Sequence, residues 1–540
     1  MKIKSLLIGM LACSAMVACT NEDAPVNGEN NKFDGEKAYL AVNIVTSEAN
    51  SRAAGAEGYV DGTGNECAVG NARFYFFNAN GSAYTNTTTA TGANYYETSL
   101  SLSADKDNAN EEYQSTAILV IGTDQKGETA GTPYSIVAVL NPETAAKELG
   151  TGSLTLGELK KVTGDYRKIG QNQFLMTNSV YANEGETKME VFIKPENLAT
   201  TADAALKKPV VIHVERVLAK MKYTTEYNNK FPTGITVEGK AVYAKVTGIA
   251  PAHENPVSNL IKAITPTWTN EALGFGEYDW NNATNYRSYW ATSAKPEAYT
   301  NISSWNDANT KEYAYCHEST YAPAENRTEA MFAAKLVDAE DQDFEIAEWM
   351  GKQYAGGEDA LQTDMANYLK NFWYEKDGAY VTFNPEDLVF ETLAENEGLK
   401  IEGYEVKATL STTAPAYYIK DATGKYVPSV KEGETTTQVV DMLKAEIAKF
   451  APAKIWKSGM TYYFTPIEHL GVDGSDAEYG VVRNHVYQIN VKSITGLGTP
   501  VYKPETDVPT VVPKSDASFV AAEIHVLAWR VVNQEANLGQ

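Results

Sequence analysis

Histidine and cysteine are scarce in this chain, whose 540 residues hold six histidines and four cysteines. The histidines are scattered singly and no paired-cysteine knuckle occurs, so a metal site of ordinary ligand spacing is not expected. A phosphate-cradling glycine loop, a His-Glu-x-x-His helix and a Gly-x-Ser-x-Gly elbow are also missing. After the first nineteen residues no apolar run approaches the roughly 18 to 20 needed to span a bilayer. Positive charge is short as well, because 46 basic residues against 70 acidic ones leave a formal charge of −24. A surface this acidic repels phosphate backbones and argues against nucleic acid as a partner. His317 beside Glu318 and Glu468 beside His469 resemble acid/base pairs, but strand neighbours face opposite sides, so both read as structural. The run Asp473-Gly474-Ser475-Asp476 lacks the remaining ligands of a calcium loop and reads as a polar turn. Nothing among the acidic residues selects a glycosidase pair. No catalytic residue, cofactor or metal is therefore expected, and the chain does not read as an enzyme.

What is present begins with an export signal. Lys2 and Lys4 precede the apolar stretch Leu6 to Ala12, and Met16-Val17-Ala18-Cys19 forms a small-residue cleavage site ending in a cysteine able to carry acyl chains. Cys13 is the rival lipid site, with the bulkier Leu11 beside its small residue. Residues 1–19 are thus read as a lipoprotein signal peptide with Cys19 lipidated, and lipid is the only membrane tie expected. Glu22 and Asp23 resemble an acidic surface-export tag. The mature part keeps Cys67 and Cys316, far apart in sequence. Two isolated buried thiols are the favoured reading, with a disulfide as the alternative.

The 33 tyrosines, with many Thr, Val and Asn, favour extended structure, because β-branched and aromatic side chains suit a pleated, half-buried surface. Short apolar or alternating runs bounded by Gly, Asn, Asp and Pro recur, as in antiparallel sandwiches. The clearest are Arg73-Phe77, Thr116-Ile121, Tyr134-Leu140, Met189-Ile193, Val210-Val217, Tyr462-Phe464 and Val486-Val491. Helical stripes appear at Leu361, Met365, Leu369 and Phe372, and at Val439, Leu443, Ile447 and Phe450. Short helices are expected between about 142 and 162, with Leu156 and Leu159 packing inward. At this length two or three domains are expected and two are favoured. The change is placed at the polar stretch from Trp268 to Tyr321, giving 53–265 and 266–499. Pro500, Pro504, Pro509 and Pro513 then space out an extended arm, because proline neither continues a helix nor pairs in a central strand. The arm leads to a terminal apolar strand within 500–540.

Several of these segments resemble the FimA/Mfa-type fimbrillins, subunits of type V pili, and most of all the major subunit of the Mfa type. Phe174-Leu-Met-Thr-Asn178 is similar to the family's F-x-M-(S/T)-N segment, and Glu215-Arg-Val-Leu-Ala-Lys220 to its E-R-x-x-A-K strand. Tyr286-Arg-Ser-Tyr-Trp290 resembles Y-R-x-x-W, and Tyr315-Cys-His-Glu-Ser-Thr320 resembles C-x-E-N-T with Ser319 in place of Asn. Arg483-Asn-His-Val-Tyr487, followed by Ile494-Thr-Gly-Leu-Gly498, resembles the R-N-H-x-Y strand and its turn. Read from the residues alone, Arg216 and Lys220 mark the edge or end of a core strand, and Arg483 and Asn484 cap or turn into one. The resemblance implies two transthyretin-like β-sandwich domains in a mostly β chain with a few short helices. It also implies a lipoprotein precursor anchored at the outer membrane, cut by an arginine-specific protease and polymerised in a surface fimbrium with accessory and tip subunits, with roles in adhesion and biofilm formation.

The assembly step follows from strand physics. Leu40, Val42 and Ile44 alternate in a half-buried strand, Ala38 to Val45, ahead of a flexible Asn50-Ser51-Arg52-Ala53-Ala54-Gly55 site. Cleavage between Arg52 and Ala53 is expected to release propeptide 20–52 and its strand, leaving unpaired backbone and an apolar groove. The terminal strand of a neighbour, with Ile524, Val526, Leu527, Trp529 and Val531 as candidate anchors, then fills the groove by β-strand addition. Donor and acceptor are different surfaces, so the contact does not close and a filament grows. An accessory or tip adhesin, or a glycan-binding surface lipoprotein using stacked Tyr and Trp, is the alternative.

Overall fold

The computed structural model describes residues 37–45, 59–60, 66, 68–85, 92–100, 114–122, 132–167, 174–183, 186–225, 228–265, 288–293, 313–321, 327–393, 404–469, 473–503, 519–527 and 529–531. Strands dominate these residues and the helices are short. The segments read as strands form them, including Asn71–Phe77, Gln114–Gly122, Ser135–Leu140, Val210–Arg216, Met460–Pro466 and His485–Thr495. Only Val191–Phe192 of the Met189-Ile193 run is strand.

The first sheet runs in the order Leu198–Ala199, Lys37–Val45, Val210–Arg216, Met176–Asn178, Ser135–Leu140, Asn71–Phe77 and Tyr95–Ser99. Gln114–Gly122 joins it through Lys37–Val45. Ser135–Leu140 is buried at every position, which explains why its sequence is a continuous apolar run rather than an alternation. Polar side chains inside this region satisfy backbone that the ladder leaves unpaired. Asn178 accepts from the Ala138 N–H at 2.8 Å and donates to the Met189 carbonyl at 2.7 Å. The short helix Leu156–Leu159 is opened by a capping box: the Thr155 hydroxyl accepts from the Glu158 N–H, and the Glu158 carboxylate accepts from the Thr155 N–H. Leu159 is fully buried and Leu156 packs against the core.

Two further sheets face each other around a second core that contains Met221, Val242, Phe332, Tyr463, Tyr487 and Ile489. One runs Tyr313–Cys316, Ala219–Thr225, His485–Thr495, Trp529–Val531 and Tyr59–Val60, with Phe519–Leu527 also on His485–Thr495. The other runs Lys230–Val237, Lys240–Ala252, Glu329–Val337, Met460–Pro466 and Thr499–Pro500. This is sheet-on-sheet packing, a sandwich. The turn after His485–Thr495 requires glycine at 498, where φ is +70° and a Cβ would lie 2.8 Å from the Tyr462 carbonyl oxygen.

The packed clusters change between Leu218 and Ala219, well before the boundary expected at 265. Leu260 and Ile261 pack back into the first cluster, so the chain crosses between the two cores more than once. Such a return leaves no composition shift at the crossing. A third core, absent from the sequence reading, lies between the paired strands Ile346–Trp349 and Lys454–Trp456. Both expected helical stripes line it. Gly357–Ala366 buries Leu361 and Met365, and Val439–Ile447 buries Val439, Leu443 and Ile447.

Candidate assembly site

Lys37–Val45 lies inside the first sheet. It pairs antiparallel with Gln114–Gly122 along all nine residues, parallel with Val210–Arg216 from Val42 to Val45, and antiparallel with Leu198–Ala199 at Tyr39 and Leu40. Leu40 and Val42 are fully buried among Leu119, Ile121, Val210 and Ile212 of the first core. Ile44 sits opposite Ser115 and Ile212 in the backbone register. Among the described strands, Gln114–Gly122 pairs with no other neighbour. Removing Lys37–Val45 therefore opens one slot with an unpaired ladder on each side. Cys19, Arg52, Ala53 and Cys67 lie outside the described residues.

The C-terminal segment pairs at home. Phe519–Leu527 runs antiparallel to His485–Thr495, with Ile524 opposite Ile489 and Val526 opposite Tyr487. The single alternating strand expected from Ile524 to Val532 is divided into two. The first strand ends at Leu527, and Trp529–Val531 instead runs parallel to His485–Thr495 through Arg530 while pairing with Tyr59–Val60. Leu527 thus belongs to one strand and Trp529 and Val531 to another, because the backbone pairing changes between them. Among the described residues Phe519–Leu527 pairs with His485–Thr495 alone, so it holds a ladder on one side where Lys37–Val45 holds ladders on both.

Between the two regions lies a dense buried ion network built from four of the five segments of the resemblance together with Glu66 and Lys262. Arg216 and Arg483 are among the largest fully buried side chains. Arg483 pairs with Glu318 at 3.3 Å and donates to the Leu260 carbonyl at 2.9 Å and the Asn259 carbonyl at 2.6 Å. Arg216 donates to the Glu66 carbonyl at 2.7 Å and to the Asn484 side-chain oxygen at 3.1 Å. Asn484 sits at φ 56° and its N–H donates to the Leu218 carbonyl at 2.9 Å. Lys262 pairs with Glu215 at 3.1 Å and donates to the Ser288 carbonyl, and Lys220 pairs with Glu66 at 2.6 Å. These charges are buried, paired and bonded to carbonyls of both regions, so they fix how the two pack. Reading Arg216 and Lys220 as a strand edge, and Arg483 as a turn residue, missed this role. The available signal was a charge set within an apolar strand, as Arg216 is between Val214 and Val217.

The adjacent acid/base candidates belong to the same scaffold. The His317 ring accepts from the Tyr166 N–H at 3.1 Å and bonds the Asn255 carbonyl at 2.7 Å, while Glu318 holds Arg483. His469 bonds the Tyr487 hydroxyl and the Tyr289 carbonyl. Asp473 to Asp476 forms turns, and the Gly474 N–H donates to Glu478. Among the described residues no group of three or more His, Cys, Asp or Glu is placed to hold a metal, and no helix is long and apolar enough to cross a membrane. Cys316 is a free thiol, raised well above its ordinary value by burial.

Two titratable groups here respond to pH in opposite senses. Burial raises the Glu254 carboxyl from 4.5 to about 7, against the Arg167 guanidinium 3.0 Å away and the His317 N–H. Burial lowers the His317 imidazole from 6.5 to about 4. A raised carboxyl gives stability that is fully present below about 4.5 and lost as pH rises through about 7. The lowered imidazole gives stability that is present above about 6.5 and lost as pH falls through about 4. Glu254→Gln removes only the first dependence. The Tm advantage of wild type over Glu254→Gln is expected to shrink by a few degrees between about pH 5 and pH 8. A difference that stays flat across that range, measured by thermal melts, overturns the assignment.

Residues 454–535 match the family model described as "Major fimbrial subunit protein type IV, Fimbrillin, C-terminal". No curated protein gives a significant match. Among solved structures, the chain is similar to a candidate cell adhesion protein from Parabacteroides distasonis ATCC 8503, at 12% identity and TM-score 0.36, covering 92% of this chain and 99% of that one. It is also similar to a fimbrilin (fimA) from Porphyromonas gingivalis W83, at 14% identity and TM-score 0.30, covering 92% and 98%. The tip fimbrial protein Mfa3 from Porphyromonas gingivalis is similar at 10% identity and TM-score 0.30, covering 90% and 99%. The family match spans the Arg483-to-Tyr487 segment and the strands Phe519–Leu527 and Trp529–Val531. Residues 454–535 thus carry a fimbrillin C-terminal module, and they include the last of the motifs described above.

Proposed function

We propose that this chain is a FimA/Mfa-type fimbrillin, a structural subunit of a surface fimbria, exported as a lipoprotein acylated at Cys19, held at the outer membrane, cut by an arginine-specific protease between Arg52 and Ala53, and polymerised by strand exchange. In this reading residues 20–52 are a propeptide that carries a removable strand. The observation that supports it is the internal place of Lys37–Val45, just ahead of Arg52, with ladders on both sides. Segment 1–52 holds five basic and six acidic groups, so its loss shifts the net charge by a single unit. Cleavage thus acts through the strand rather than through charge. The vacated sites of Leu40, Val42 and Ile44 take alternate residues of a neighbour's Phe519–Leu527. The set Val520, Ala522, Ile524 and Val526 is apolar throughout, whereas the other set contains Glu523 and His525. Ile524 and Val526 are therefore the leading donor residues, with Leu527, Trp529 and Val531 following. Partners are further copies and the accessory and tip subunits of the same fimbria.

Arg52→Ala is the test. It is expected to leave a folded, lipid-anchored monomer that does not enter filaments, seen by electron microscopy of sheared surface material and by mass spectrometry of the N-terminus. Filaments of normal length built from uncut mutant subunits would refute the reading.

A further inference from the structure

The third core supports a four-stranded sheet in the order Ala379–Thr382, Trp373–Lys376, Tyr417–Lys420 and Tyr426–Val427. Trp373 stands opposite Thr382 and Tyr418, Glu375 opposite Tyr380, and Lys420 opposite Tyr426. Opposed residues of antiparallel pairs share a face, as do residues two apart along a strand. Trp373, Tyr380, Tyr418, Tyr426, Glu375 and Lys420 therefore lie on one face. The opposite face carries Tyr374, Tyr417 and Ile419, which pack into the third core.

The aromatic face reaches solvent: Tyr380 is 36% exposed, Glu375 and Lys420 are exposed, and Trp373, Tyr418 and Tyr426 are half-buried. Its rings form one connected group: Tyr380 stacks on Tyr426 with centroids 4.0 Å apart, Tyr418 meets Tyr380 edge-on at 5.2 Å, and Trp373 meets Tyr426 edge-on at 5.6 Å. The Lys420 ammonium lies 5.2 Å from both the Trp373 and Tyr426 rings. Rings locked against one another in this way lose little freedom when a ligand arrives.

Size and charge select the occupant. Three strand spacings of about 4.8 Å and four residues of about 3.3 Å give a face of roughly 14 by 13 Å. A stable protein interface needs about 800 Å² on each partner, several times this area, so a folded partner or a second copy does not fit it. One acid and one base leave the face without net charge, which does not suit a polyanion. Tyr380 and Tyr426 cover one ring face of each other and Lys420 lies against Trp373 and Tyr426, so the cluster offers the remaining ring faces and edges with Glu375, Lys420, Thr382 and phenolic hydroxyls between them. We propose that this face binds a short neutral oligosaccharide, whose C–H surfaces stack on Trp373, Tyr380, Tyr418 and Tyr426 while its hydroxyls bond Glu375 and Lys420. The site belongs to the single subunit and does not depend on strand exchange.

The test is a glycan array probed with the purified full chain, followed by titration calorimetry with maltotriose, mannotriose, triacetylchitotriose and a heparin tetrasaccharide. At least one neutral trisaccharide is expected to bind with a Kd in the millimolar range or tighter. Tyr380→Ala and Tyr426→Ala are each expected to weaken it at least tenfold with Tm unchanged. Tyr368→Ala, at a residue 65% exposed elsewhere, leaves binding intact. The proposal is overturned by no neutral binding, by binding to heparin alone, or by binding that survives both tyrosine substitutions. Self-association that disappears in Tyr380→Ala, seen by analytical ultracentrifugation, also overturns it and assigns the face to a second copy.

Discussion

Arg483→Met is expected to destabilise the subunit by about 3–5 kcal/mol, the range seen when one partner of a buried ion pair is removed. The guanidinium is fully buried and is the charge partner of Glu318, which is 3% exposed. It is also a donor to the carbonyls of Leu260 and Asn259. Methionine fills much of the volume but leaves the carboxylate unpaired and two acceptors without this donor, each loss costing about 1–3 kcal/mol. The double variant Arg483→Met with Glu318→Leu removes both charges and is expected to recover a large share, because the penalty of the single change is mostly the stranded partner. By contrast, the exposed pair of Lys449 and Glu446 is expected to contribute no more than about 0.5 kcal/mol. Denaturant titration of wild type, Arg483→Met, Glu318→Leu and the double variant decides the matter. A single Arg483→Met variant within about 1 kcal/mol of wild type would show that the network does not hold the two sandwiches together.

That network also marks the limit of what the sequence revealed. Strands such as Val210–Arg216 and helices such as Val439–Ile447 were legible because their side-chain periodicity is local and faces one core. The capping box at Thr155 and Glu158 is local as well. Arg483 and Glu318 meet across 165 residues of chain, and Arg216 and Asn484 across 268, and no short-range pattern encodes such a meeting. The change of packed cluster after Leu218 was hidden for a related reason. The polar Trp268-to-Tyr321 stretch attracts a boundary by composition, yet the packing changes inside the apolar run Val217-Leu218-Ala219, where composition is uniform. The third core was hidden because both its helices read as ordinary core-facing stripes, with nothing to say that they line a core of their own rather than the sandwich. At the assembly site, the alternation of Lys37–Val45 was visible, but its two-sided pairing was not. The change of backbone pairing between Leu527 and Trp529 could not be read either, since the sequence alternation runs on through it.

Stapling the C-terminal strand to its own sheet is expected to abolish filament growth. Under strand exchange, Phe519–Leu527 leaves a place where it has one ladder, with His485–Thr495, for a slot that offers Gln114–Gly122 on one side and Val210–Arg216 with Leu198–Ala199 on the other. The gain is a second row of backbone hydrogen bonds and burial from an edge into a sheet interior, which favours the neighbour's slot over home. Asn490 and Glu523 stand directly opposite in the home register. Directly opposed strand positions lie about 4.5–5.5 Å apart at Cα, within the span of a disulfide. The double variant Asn490→Cys and Glu523→Cys should therefore form a bond that holds the strand in place after cleavage at Arg52. Oxidised protein is expected to remain monomeric by size-exclusion chromatography, and the same sample after reduction is expected to polymerise, as seen by electron microscopy. Because both states share one sequence, a folding defect cannot mimic the result. Long filaments from the oxidised protein would show that the donor is not Phe519–Leu527. Failure of the reduced protein to polymerise while wild type does so would show that positions 490 and 523 act in assembly by another route. A chain truncated at Ser518 gives the complementary measurement: it is expected to be exported and cut but to form no filaments, since the slot opened by loss of Lys37–Val45 then has nothing to fill it.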